Sequence, residues 1–141
     1  NIGLNTRGYA YFDDKTKMVD TAAMMESLQG LQAGDLLLLH GCCHNPTGAN
    51  LDMSTWQTIT DLVIEKGVVP FVDIAYQGFG DGLDEDAAPL RYMASKVPEM
   101  RMAGARSTNR GLSPARAGVG WWVSAACSSA APALASLAPR P

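Results

Sequence analysis

The chain of 141 residues has no apolar run near the ~18 residues that a membrane-spanning helix requires. Cysteine is scarce: only Cys42, Cys43 and Cys127 occur. An odd count that includes an adjacent pair makes a poor disulfide framework, which points to a reducing, cytoplasmic setting. No large excess of either charge is present. Eleven basic residues against 14 acidic ones leave a net charge of −3. Neither a phosphate backbone nor an anionic membrane surface is therefore expected as a partner. The opening stretch "NIGLNTRG" lacks the charged-then-apolar pattern of a secretory leader. It also lacks an initiating Met, which suggests a segment of a longer protein. No internal repeat is visible.

What is present is globular in character, with 47% hydrophobic and 18% charged residues. "YAYF", residues 9–12, reads as a short strand closed by the polar turn "DDKTK". Asp20 is placed to cap a helix over Thr21 to Leu28, with Ala22, Met25 and Leu28 on one face. "DLLLLH", residues 35–40, is apolar without alternation, the pattern of a strand buried on both faces in a parallel sheet. A second helix is expected from Ser54 to about Lys66, with Trp56, Ile59 and Val63 inward and Gly67 as its end. "VVPFVDIAY" is the next strand, although Pro70 suits a central ladder poorly. Pro89 fits the first turn of a third helix. "MRMAG" and "GVGWWV" are weaker strand candidates.

Strands alternating with helices predict an α/β fold with a mainly parallel sheet in three α/β/α layers. In such sheets ligands sit beyond the carboxyl ends of the strands. The loops at 41–50, 73–82 and 104–111 would lie there. Residues 1–123 read as one partial domain. Residues 124–141, "SAACSSAAPALASLAPRP", read as a low-complexity, poorly ordered tail.

Asn45 and Asp73 follow successive strands, so their loops can set an amide and a carboxylate on either side of a planar ligand. An acid beside a heteroaromatic nitrogen favours its protonated form. Tyr76 and Asn45 can both bond an oxygen on the same ring. Each residue also has a plainer reading. A strand-ending Asp is most often a turn former or a cap, a Tyr beside glycine most often packs, and "HNPTG" alone is often only a turn. Asp84, Glu85 and Asp86 read as a solvated turn, and His40 as a core residue rather than a base. Cys42, Cys43 and His44 are contiguous, and three neighbouring residues seldom wrap one tetrahedral zinc, so no metal is expected.

The stretches "LLLLHGCCHNPTGA" and "PFVDIAYQGFGDGLDEDA" resemble the large domain of the aspartate and aromatic amino-acid aminotransferases, a branch of the fold-type I pyridoxal-phosphate enzymes. The likeness runs from about Arg7 to about Gly118. It implies a transaminase using pyridoxal 5'-phosphate, acting on an amino acid and a 2-oxo acid, and a homodimer when full-length. By the same resemblance Asn45 and Tyr76 share the cofactor's phenolic oxygen and Asp73 pairs with its ring nitrogen. Arg116, in "SPARAG", is similar to the arginine that clamps the phosphate. The Asn45-Pro46 bond is implied to be cis.

One departure is central. Where the family reads "SKNFGLYxERxG", this chain reads "STNRGLSPARAG", which places Thr108 at the position of the Schiff-base lysine. Threonine has no amine to offer. Ala105 replaces a usual phosphate-binding serine, and Arg110 replaces a phenylalanine. Two readings stay open: a partial sequence whose end has degraded by reading error or frameshift, or a catalytically dead paralogue that only binds the cofactor or dimerises.

Overall fold

The fold comes from a computed structural model, which describes residues 5–104 and a strand at 133–136. The elements run β1 (Asn5–Gly8), β2 (Phe12–Asp13), β3 (Met18–Val19), α1 (Thr21–Leu28) and β4 (Asp35–His40), then α2 (Met53–Lys66), β5 (Val69–Asp73), α3 (Ala88–Lys96), β6 (Arg101–Ala103) and β7 (Ala133–Ser136). Five strands form one sheet in the order β1-β7-β4-β5-β6, and β2 and β3 make a separate two-stranded ribbon. β4, β5 and β6 are parallel, with His40 opposite Asp73 and Asp73 opposite Ala103 at their carboxyl ends. β7 runs antiparallel to both β1 and β4. The architecture is the α/β class expected from the alternation of elements.

Local chemistry accounts for the helices. Asp20 caps α1 by accepting from Ala23 N–H at 2.9 Å. Asp52 caps α2 from two positions before the expected start at Ser54, accepting from Thr55 N–H at 2.7 Å. Gly67 closes α2 in the left-handed conformation, φ 65°. Pro89 occupies the first turn of α3, where no N–H is missed. Trp56, Ile59 and Val63 do form the buried stripe of α2. On α1 the inward pair is Met24 and Leu28, and Ala22 faces solvent.

The sheet supplies the rest of the core through Leu37, Leu39 and Val72, joined by Ile74 just past β5, all fully buried. Leu36, Leu38 and Phe71 on the opposite face are only half-buried. Both faces are thus covered enough to exclude charge, which is why the sequence shows no alternation, but one is closed more fully. Pro70 lies opposite Leu37 of β4, while pairing to β6 starts one residue later at Phe71. The proline therefore sits where β5 has a neighbour on one side only.

Two expectations need correction. Tyr9 and Tyr11 are not strand residues. They are buried between β1 and β2 and anchor their hydroxyls on the Leu38 and Ala49 carbonyls at 2.8 and 2.7 Å. Ala133–Ser136 lies within the stretch whose composition argues against order, yet it forms β7 in the sheet. Ladder bonds come from the backbone, so a run of small residues can make them without a side-chain pattern. The candidate strand at 118–123 lies outside the described residues.

Candidate functional site

The site is built from the two loops that leave β4 and β5. Gly41 N–H donates to Asp73 O at 2.7 Å, and Ile74 N–H to Ala103 O at 2.8 Å, so the parallel ladder carries on into the first residue of each loop. Asn45 and Tyr76 are brought together as expected: Asn45 Nδ2–H donates to the Tyr76 hydroxyl oxygen at 3.3 Å. Asp73 is half-buried at the end of β5, and its carboxylate accepts from Ala75 N–H at 3.0 Å. Asn45, Asp73 and Tyr76 thus share the carboxyl edge of the sheet. Thr108 and Arg116 lie outside the described residues.

An open cavity of about 460 Å³ lies at this edge, lined by Cys43, His44, Asn45, Pro46, Tyr76 and Gly80 among others. Asn45 and Tyr76 face it, whereas Asp73 is not part of its wall. The Asn45-Pro46 bond is cis. Gly48 closes the turn with φ 70°, its N–H donating to His44 O at 2.6 Å.

His44 holds the β4 loop in place. Its backbone N–H donates to Asn50 Oδ1 at 3.1 Å, and its Nδ1 lies 2.8 Å from Thr47 Oγ1. The ring stacks on Tyr11, with centroids 4.0 Å apart, and is tilted against His40 at 4.4 Å. Burial, together with the neighbouring His40, lowers the His44 pKa to about 4. Burial also lowers that of His40, and the charge of Asp73 opposes the shift. Both rings therefore favour the neutral form.

Asp86 is the residue that sequence reasoning misplaced. It is 7% exposed, not part of a solvated turn. Its carboxylate accepts from Gly78 N–H at 2.8 Å, Gly80 N–H at 3.0 Å and Asp81 N–H at 2.9 Å. Burial pushes the carboxyl up, but those N–H groups and that of Gly82 outweigh it and hold the group below its ordinary value. A Cβ at Gly80 would lie 2.6 Å from Asp86 Oδ1, so the turn closes only around glycine. Asp84, in contrast, is exposed and pairs with Arg91 at 2.9 Å. The available signal was the glycine-rich "GFGDG" just upstream, whose free N–H groups need an acceptor.

The two cysteines of this loop cluster with Asp86 rather than with His44. Burial, with Asp86 and Cys43 nearby, pushes the Cys42 thiol up to about 12.

Taken together, the edge offers a carboxylate suited to a cationic ring atom. Beside it, an amide and a phenol converge on one point and suit an oxygen.

The "Aminotransferase class I and II" family profile matches residues 1–138. The chain belongs to this family. It is 48% identical over 117 residues to the aromatic-amino-acid aminotransferase of Paracoccus denitrificans, covering 83% of this chain and 30% of that protein. It is 47% identical over 118 residues to the aspartate aminotransferase of Escherichia coli strain K12, covering 84% and 30%. Among solved structures, an aromatic amino acid aminotransferase with 3-indolebutyric acid superposes with a TM-score of 0.69 at 43% identity, over 92% of this chain and 29% of that one. The aromatic-amino-acid aminotransferase of Burkholderia pseudomallei, covalently bound to pyridoxal phosphate, gives 0.68 at 34% identity, over 90% and 28%. The aminotransferase profile extends into the segment after residue 123. The chain spans about 30% of the length of the curated relatives it matches. Among the described residues no helix is long and apolar enough to cross a membrane.

Proposed function

We propose that the full protein is a pyridoxal-phosphate aminotransferase, moving an amino group between aspartate or an aromatic amino acid and a 2-oxo acid. This chain would carry the central part of its cofactor-binding domain, residues 1–123, followed by a divergent tail at 124–141. The observation that carries the reading is the Asn45–Tyr76 pair beside Asp73, on the loops of adjacent parallel strands.

The donor set fits the cofactor. Asp73 offers a carboxylate, and a nearby negative charge keeps a pyridine nitrogen protonated. Asn45 donates to the Tyr76 oxygen, which leaves the Tyr76 hydroxyl proton free for a phenolic oxygen placed between them. Arg116 is assigned to the phosphate, whose oxygens match the guanidinium fork. When bound, pyridoxal phosphate supplies an electron-withdrawing ring beside the amino-bearing carbon of the substrate. A cytoplasmic homodimer belongs to the same reading, with amino-acid and 2-oxo-acid substrates and neither nucleic acid nor membrane as partner.

Thr108 favours a second reading, a non-catalytic module that holds the cofactor without using it. A hydroxyl cannot replace an amine that must form a covalent bond and carry a proton. A transamination assay with aspartate or tyrosine, 2-oxoglutarate and saturating pyridoxal phosphate tests this. No turnover above free cofactor is expected of the 141-residue chain; turnover clearly above it would overturn the role assigned to residue 108. Determining the complete reading frame separates the two readings. A lysine codon at 108 with activity supports the enzyme, and a threonine codon without activity supports the module.

A further inference from the structure

Cys42 and Cys43 follow β4 after the single residue Gly41, and consecutive side chains on a strand point to opposite faces. Here they do not. Cys43 has φ 46°, a left-handed conformation uncommon outside glycine. The turn brings the two sulfurs and an Asp86 carboxylate oxygen all within 4.8 Å of one another. Both thiols are free. Cys42 is 6% exposed, while the half-buried Cys43 lines the open cavity. His44, 3% exposed, lines the same cavity, and its Nε2 has no hydrogen-bond partner among the described residues.

The surroundings select among thiol-seeking ligands. A zinc ion takes four donors. Asp86 is poorly placed to be one, because its oxygens already hold the Gly78, Gly80 and Asp81 N–H groups. A ligand that takes two cysteine sulfurs and brings its own third substituent has no such shortage. We infer that Cys42 and Cys43 form a vicinal dithiol site for trivalent arsenicals, entered from the cavity side at Cys43. With phenylarsine oxide, two S–H bonds and the arsenic–oxygen bond break and two As–S bonds form. The oxygen leaves as water with both thiol protons, and arsenic stays trivalent. The site does not depend on the cofactor reading.

The experiment is titration of the reduced chain with phenylarsine oxide, followed by intact mass and thiol counting. One adduct per chain is expected, masking two of the three cysteines. A small dithiol should release it, and an equal concentration of monothiol should not. Cys42→Ser and Cys43→Ser should each weaken binding by about 100-fold or more, the scale lost when one of two linked contacts goes. Cys127→Ser should leave it unchanged. Should a serine variant fail to fold, peptide mapping of the parent adduct decides. Parent-like affinity in either folded Cys42 or Cys43 variant, an adduct mapped to Cys127, or release by monothiol would each overturn the assignment. Tight one-to-one binding of zinc alone would overturn the selectivity.

Discussion

The side-chain amide of Asn45 donates to the Tyr76 hydroxyl oxygen across 3.3 Å, tying the loop after β4 to the loop after β5. The donor is the asparagine, so the tyrosine proton remains available to a third group. Tyr76→Phe keeps the ring and deletes that donor. The expected loss is about 0.5–1.5 kcal/mol of pyridoxal-phosphate affinity, roughly 2- to 13-fold in Kd. Tyr76 is 42% exposed, so global stability should barely move. Spectroscopic titration alongside urea unfolding checks both; an unchanged Kd would remove Tyr76 from the site.

Asp86 gathers three backbone N–H groups in a nearly water-free turn. Asp86→Asn keeps the shape and removes the charge. It should cost about 1.5–3 kcal/mol, the range for hydrogen bonds to charged groups, read by urea denaturation. The carboxyl is held below its ordinary 3.8 in the folded chain. Its stabilisation is therefore complete above that value and is lost as pH falls through the folded pKa. The asparagine variant should show a shallower loss of stability on acidification. Equal stability of parent and variant at neutral pH would contradict the role.

His44 titrates near 4 in the folded chain against an ordinary 6.5, because burial disfavours its cation. Between those values the unfolded chain binds the proton and the folded chain does not. Stability is then full above about 6.5 and declines as pH falls toward 4. His44→Gln should flatten that slope, leaving the smaller contribution of His40. Thermal melts from pH 7 to pH 4 measure it, and an unaltered slope would contradict the account.

β4 and β5 were legible because unbroken apolar runs bounded by glycine and a polar loop have few alternatives. The cap of α1 was legible because an aspartate ahead of an amphipathic run meets bare N–H groups; that of α2 was not, because Ser54 offered a competing start and the acceptor proved to be Asp52. Asn45, Asp73 and Tyr76 were legible as strand-end residues, and their likeness to a known family sharpened the reading. Asp86 was not. In sequence it is the third of three acids, and only the folded turn shows its carboxylate pointing inward while Asp84 points out to Arg91. Tyr9 and Tyr11 misled for a similar reason, since a strand and a buried loop share an aromatic composition. β7 was invisible because backbone pairing leaves no mark in a run of small residues.

The central claim is that these strand-end loops hold pyridoxal phosphate through Asp73. Equilibrium dialysis of the 141-residue chain against pyridoxal phosphate, in parallel with an Asp73→Ala variant of matched fold, tests it most directly. The prediction is saturable one-to-one binding that the variant weakens by about tenfold or more, or roughly 1.4 kcal/mol. Binding of equal strength in both proteins, or none that saturates in the parent, would contradict it.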